Sequence, residues 1–179
     1  FKRYEDLPLV STGCDSYASW HPDFKDLSPM LTTDAIVEGI LQTLPGQRWG
    51  DAHLVITGGE PLLGWQRAYP DLLSHDGMKE LKEITFETNG TQKLSKEFKE
   101  YLINWQFQEV DFNPEVTFSV RAKLSCSEGF TGPVYLMPVG GVESVYSMNN
   151  RNVAEFAMKN GLRYSDRLQV PLFKNEWGT

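Results

Sequence analysis

The sequence predicts an α/β protein in which a parallel sheet of about six strands forms an open partial (β/α) barrel. Three observations carry that expectation. Short runs rich in β-branched and aromatic residues alternate with amphipathic helical runs, the order that βαβ crossovers impose. Several strand-like runs end in glycines or a polar pair: Gly58-Gly59 after Leu54-Val55-Ile56, Glu87-Thr88 after Ile84, and Gly140-Gly141 after Val134 to Val139. Such endings place a site at the carboxyl edges of the strands. The 179 residues suit a single domain, residues 1–179, with one core and too few strands for a closed eight-stranded barrel.

Taken in order, Phe1 to Tyr4 reads as the end of a first strand. Glu5 to Leu31 holds Pro8, Gly13, Pro22 and Pro29 without helical period, so a long ordered loop is expected. Thr33 is the expected cap of a helix with Asp34 in its first turn and Ile36, Val37, Ile40, Leu41 and Leu44 on one face, ended by Pro45. The central strand runs to Thr57. Leu72 to Leu81 has a weak helical pattern broken near Gly77, and Ile84 to Thr88 is a strand. Ser95 caps a helix whose Phe98, Tyr101, Leu102 and Trp105 share a face. Strands at Thr117 to Val120 and Val134 to Val139 follow, then a helix through Val153, Phe156 and Ala157 that stops at Asn160-Gly161. Leu168 to Leu172 is the expected last strand, and the Trp and Phe residues at helical spacing are expected in the core.

Composition narrows the function. A 40% hydrophobic, 23% charged chain is globular rather than disordered. A net charge of −7 with pI near 5.0 argues against nucleic acid or an anionic membrane surface as partner. No apolar run reaches the roughly 20 residues that span a bilayer, and Phe1-Lys2-Arg3-Tyr4 lacks the apolar segment of a signal peptide, so the expected location is the cytoplasm. Two cysteines, Cys14 and Cys126, give no disulfide framework and fit a reducing compartment. His21, His53 and His75 lack metal-ligand spacing and read as structural, and there is no phosphate loop or nucleophile triad.

The chemistry centres on Thr57-Gly58-Gly59-Glu60-Pro61-Leu62-Leu63. Paired glycines after a buried strand can take positive φ and bring backbone N–H and C=O groups against a ligand. Glu60 adds an anionic acceptor, and Pro61 keeps it extended. The plainer reading is a tight turn with a solvated acid. At the next strand end, Glu87 beside Thr88, Asn89 and Gly90 is a second acid, and an unpaired carboxylate is costly in a core.

Thr57 to Leu63 resembles the S-adenosylmethionine-binding motif of radical S-adenosylmethionine enzymes. With Ile84-Thr85-Phe86-Glu87-Thr88-Asn89-Gly90-Thr91, the Cys14 to Trp20 run and the ending Arg167 to Thr179, nearly the whole chain is similar to the 7-carboxy-7-deazaguanine synthase family. The resemblance implies a partial barrel of the radical S-adenosylmethionine type, a [4Fe-4S] cluster and Mg2+. It implies cofactor contacts from Gly58, Gly59, Glu60, Thr88, Asn89 and Lys123. Substrate contacts would come from Glu87, Gln169 and the carboxyl-terminal Thr179. Cys14 would be a cluster ligand, Ser16 a magnesium ligand, and a homodimer served by a flavodoxin-type reductant is expected.

The chain departs from the family at several of these positions. Ser11 stands where the middle cluster cysteine belongs, and the first is expected near Leu7 or before Phe1, so an N-terminal segment is expected to be missing. A hydroxyl is a poor replacement for a soft thiolate donor. Arg121-Ala122-Lys123 replaces the family's Ser-Pro-Lys, which changes the loop but keeps Lys123, and Gln169 replaces a frequent His. Gln can pair with a heterocycle edge but does not titrate near neutrality. The implied reaction is a radical lyase conversion of 6-carboxytetrahydropterin to 7-carboxy-7-deazaguanine, the precursor of queuosine and other 7-deazapurines. The rival is a cluster-deficient family member that binds S-adenosylmethionine or pterin without turnover.

Overall fold

A computed structural model describes residues 22–27, 29–106, 115–120, 130–138 and 143–173. Five parallel strands lie in one sheet in chain order: β1 (Leu54–Ile56), β2 (Glu83–Thr88), β3 (Glu115–Val120), β4 (Val134–Leu136) and β5 (Arg163–Tyr164). The helices are α1 (Thr33–Thr43), α2 (Tyr69–Leu73), α3 (Lys96–Gln106), α4 (Glu143–Lys159) and α5 (Gln169–Phe173). Crossovers of the usual right hand that advance in one direction keep their helices on one face of the sheet.

The core agrees with that sidedness. Ile84 and Phe86 of β2 and Val116 of β3 are fully buried, and Phe86 meets Tyr69 of α2 and Phe98 of α3 edge-on, at ring-centroid distances of 5.4 and 5.8 Å. Alternation along the strand sends Glu83, Thr85 and Glu87 to the other face. Register puts Val55 opposite Thr85 on that second face, where Val55 is 42% exposed. One face of the sheet is therefore packed by helices, while the other carries the polar Glu83, Thr85 and Glu87 of β2 beside Val55 of β1. β1, expected as a buried central strand, is instead the first strand in the sheet order among the described residues and is only partly covered.

Local signals explain the helix ends. The cap of α1 is Thr32 rather than Thr33: its backbone is extended and its hydroxyl accepts from Ala35 N–H at 3.3 Å, leaving Thr33 as the first helical residue. Val37 is buried, with Ile40, Leu41 and Leu44 packed beside it. Ser95 caps α3 by accepting from Phe98 N–H at 3.2 Å, and Phe98, Leu102 and Trp105 are buried along one stripe as the spacing predicts. The weak pattern from Leu72 to Leu81 resolves into α2 and a separate 3-10 turn, Asp76–Met78. α4 stops where Asn160-Gly161 predicts. Gly161 takes φ +67°, and Leu162 N–H and Gly161 N–H close back on Ala157 and Met158 carbonyls at 2.9 and 3.3 Å.

Two expectations fail here. Leu168 to Leu172 is no strand: Gln169–Phe173 turns as α5, and the last strand among the described residues is the two-residue Arg163–Tyr164. Pro171 explains the first point, since it cannot donate to a sheet ladder yet is tolerated in the first turn of a helix. A pair of residues is too short to show any alternation. Phe156, expected in the core, is 51% exposed while Ala157 next to it is fully buried, so the inward stripe of α4 passes through the smaller residue. The first strand expected at Phe1 to Tyr4, the long loop from Glu5 as far as His21 and the Gly140-Gly141 edge lie outside the described residues. No helix among the described residues is long and apolar enough to cross a membrane.

Candidate functional site at the carboxyl edges of β1 and β2

The chain leaves β1 at Ile56 and turns through Gly58 at φ +120°, a conformation that side chains rarely adopt. This turn sends the Glu60 carboxylate across to β2. Oε1 accepts from Leu62 N–H at 3.0 Å and from the Thr88 hydroxyl at 2.6 Å, while Oε2 accepts from Asn89 N–H at 2.7 Å. Thr88 is only 1% exposed, and its oxygen in turn accepts from Gly90 N–H at 3.1 Å. With two lone pairs per oxygen, the described residues leave one acceptor position on Oε2.

The second acid is bonded in the reverse sense. Thr57, just past the end of β1, donates to Glu87 Oε2 at 3.4 Å. Each strand end thus gives a hydroxyl to the acid of the other. Neither carboxylate has a cation partner among the described residues. Two acids on adjacent strand ends make an edge of concentrated negative charge.

The loop beyond β2 is tightly organised. Gly90 takes φ +71°, and the Asn89 side-chain oxygen accepts both Thr91 N–H at 2.9 Å and the Thr91 hydroxyl at 2.6 Å. Among the described residues the Asn89 amide nitrogen has no acceptor, which leaves its two donors for a ligand. Behind the loop after β1, the Tyr69 hydroxyl donates to the Pro61 carbonyl at 2.5 Å, and burial, with the charge of Glu60 adding to it, pushes the Tyr69 phenol well above its ordinary range. The phenol is therefore a neutral donor at physiological pH.

The structure brings together Gly58, Gly59, Glu60, Glu87, Thr88 and Asn89, the predicted residues of both strand edges. Lys123, Thr179, Cys14 and Ser16 lie outside the described residues. Gln169 opens α5 instead of sitting in a strand, so its placement differs from the expected one. His53 and His75 are engaged within the fold, His53 Nε2 with the Thr85 hydroxyl at 2.9 Å and His75 Nδ1 accepting Gly77 N–H at 3.0 Å.

Sequence reasoning missed other residues of the polar face. Register places Glu87 opposite Ser119, Ser119 opposite Tyr135 and Tyr135 opposite Arg163, one row across four strands. At its far end the Arg163 guanidinium lies 5.4 Å from the Tyr135 ring centroid and donates to the Tyr135 hydroxyl at 2.8 Å. An isolated Arg-Tyr pair in a two-residue strand gives no sequence signal; only the register reveals the row. The row runs from an anionic to a cationic side chain.

The cluster is a separate question. As the resemblance implies it, a four-iron cluster needs three thiolates from one loop, and the sequence contains two cysteines, Cys14 and Cys126, far apart in the chain. Those cysteines do not suffice for it by themselves. Among the described residues no group of three His, Cys, Asp or Glu side chains is placed to hold a metal.

Comparison with known proteins adds one finding. No protein-family model and no solved structure matches the chain. A curated protein of Pyrobaculum aerophilum, 7-carboxy-7-deazaguanine synthase, is 25% identical over 203 aligned positions that take in 99% of this chain and 87% of the relative. The chain is thus a distant relative, along nearly its whole length, of a protein that bears that name.

Proposed function

We propose that the chain binds S-adenosylmethionine at the joined edges of β1 and β2 and serves in the conversion of 6-carboxytetrahydropterin to 7-carboxy-7-deazaguanine. The observation that carries this reading is the pair of acids, Glu60 and Glu87, standing on adjacent strand ends with no cation beside them among the described residues. S-adenosylmethionine carries a sulfonium and an ammonium group, and an uncompensated anionic edge attracts both. Gly58, Gly59, the remaining lone pair of Glu60, Thr88 and Asn89 form the cofactor side, joined by Lys123. Glu87 faces the pterin, whose amino and ring N–H groups suit a carboxylate acceptor, and Gln169 and Thr179 complete that side.

The distant relative supports the deazapurine theme, and the chain-ordered parallel sheet is compatible with a segment of a (β/α) barrel. In the same reading the cluster loop ends at Cys14, its last ligand, Ser16 holds Mg2+, the protein works as a cytoplasmic homodimer, and a flavodoxin-type protein supplies electrons. The chain's own residues bind, orient and shield the reactants.

A specific observation favours a second reading. Ser11 replaces a cluster cysteine and the sequence has two cysteines in all, which suits a family member that binds S-adenosylmethionine or pterin without turnover. Anaerobic reconstitution with iron and sulfide, followed by titration with S-adenosylmethionine and with the pterin and then by addition of a chemical reductant such as dithionite, separates the two. A full cluster per chain together with release of 5′-deoxyadenosine supports the enzyme. Binding of S-adenosylmethionine or of the pterin without a cluster supports the second reading, and failure to bind either ligand defeats both.

A further inference from the structure

We propose that Gln66 is a positioning residue: its side-chain amide, acting with the Glu60 carboxylate, fixes the loop after β1 and the loop after β2 as one preformed platform. The proposal rests on the reading of this edge as the S-adenosylmethionine site. Gln66 Nε2 donates to the Leu62 carbonyl at 3.0 Å and to the Lys93 carbonyl at 2.9 Å, while Oε1 accepts from Ser95 N–H at 2.7 Å. Both amide hydrogens are used, so the orientation is fixed: a flipped amide would set its oxygen against two carbonyl oxygens.

Leu62 is the shared node. Its N–H donates to Glu60, its carbonyl accepts from Gln66, and it is 1% exposed. The loop after β2 is therefore pinned at Thr88 and Asn89 by Glu60 and at Lys93 and Ser95 by Gln66, with the Gly90 turn spanning the interval. Ser95 also caps α3, so the same amide ties both loops to the start of that helix. Leu62 anchors the loop after β1 in the core, but Leu63 and Trp65 between it and Gln66 are 60% and 47% exposed, so apolar packing holds only one end of that stretch. Hydrogen bonds set its shape. A loop fixed before the ligand arrives spares the cost of ordering its side chains on binding.

The test compares wild type, Gln66→Leu and Gln66→Glu by amide hydrogen exchange and by titration with S-adenosylmethionine. Ser95 N–H reports directly, because Gln66 is its acceptor. In wild type it is expected to be protected without ligand. In Gln66→Leu, which offers Ser95 no acceptor, it exchanges freely and the dissociation constant rises about tenfold. Gln66→Glu keeps an acceptor for Ser95 but turns a carboxylate toward two carbonyls, so Ser95 stays protected while affinity still falls. This variant keeps the side-chain shape should the leucine variant misfold. Unchanged affinity in both variants, or a Ser95 amide as labile in wild type as in Gln66→Leu, overturns the proposal. Wild type that shows protected Ser95 but no affinity for S-adenosylmethionine overturns the ligand reading and supports the platform.

Discussion

The Thr88 hydroxyl donates to Glu60 Oε1 at 2.6 Å across the gap between the ends of β1 and β2. The same oxygen accepts Gly90 N–H, so one buried hydroxyl fixes both the acid of the first strand and the left-handed turn after the second. Charge-assisted bonds of this kind contribute about 1.5–3 kcal/mol, more than neutral ones. The arrangement makes Thr88 the hinge on which the candidate site depends.

Replacing Thr88 with Val keeps the shape and removes the hydroxyl. Unfolding free energy is expected to drop by about 2 kcal/mol, with affinity for S-adenosylmethionine falling alongside it. Thr88→Ser retains the donor and should recover most of both. Denaturant titration of the two variants checks this, and equal losses in Ser and Val would remove the hydroxyl from the account.

Gly58→Ala isolates backbone conformation from crowding. A Cβ there meets nothing within 4 Å, but the residue sits at φ +120°. The expected cost is therefore strain alone, about 1–3 kcal/mol, and the turn should relax so that Glu60 leaves Asn89. Loss of protection of the Asn89 amide in hydrogen exchange is the measurement; an unchanged Asn89 amide would mean that the turn tolerates a side chain.

Gly77→Ala fails for the opposite reason. A Cβ at Gly77 would lie 2.5 Å from Cγ1 of Val37 and 3.2 Å from Cδ1 of Leu41, both on the inward stripe of α1. Val37 is 2% exposed and cannot swing away, so α1 must shift, at roughly 1–3 kcal/mol. Pairing the change with Val37→Ala opens space, and the double variant should cost less than the sum of the singles.

Tyr69 gives the chain an alkaline limit. Its phenol is raised above the ordinary 10.0, first by burial and then by the charge of Glu60. The unfolded chain releases this proton near pH 10 and the folded chain holds it, so the contribution is complete below pH 10 and is lost as pH rises further. Tyr69→Phe should lose about 1 kcal/mol at pH 7, where the bond to the Pro61 carbonyl is missing, and decline less steeply than wild type between pH 10 and 11. Urea titrations at the two ends of that interval decide it.

Much of the architecture was legible because it is written in local signals. The apolar run Leu54 to Ile56, the Ser95 cap, the Phe98-Leu102-Trp105 stripe and the Gly161 stop each act within a few residues of themselves. The errors fell where local signals compete: Thr32 and Thr33 are both competent caps, and Leu168 to Leu172 has strand-like side chains around a proline that a sheet interior rejects. Phe156 and Ala157 share a helix turn, and hydrophobicity alone favours the wrong one.

The sequence by itself determined that glycines and acids stand at the ends of parallel strands, since strand periodicity and turn chemistry are properties of neighbouring residues. Tertiary structure alone decided that Glu60 is bonded to Thr88 and Asn89, that Gln66 joins two loops, and that Glu87 and Arg163 fall in one row. Those relations depend on strand order and register, which bring together residues distant in the chain, and no local pattern encodes them.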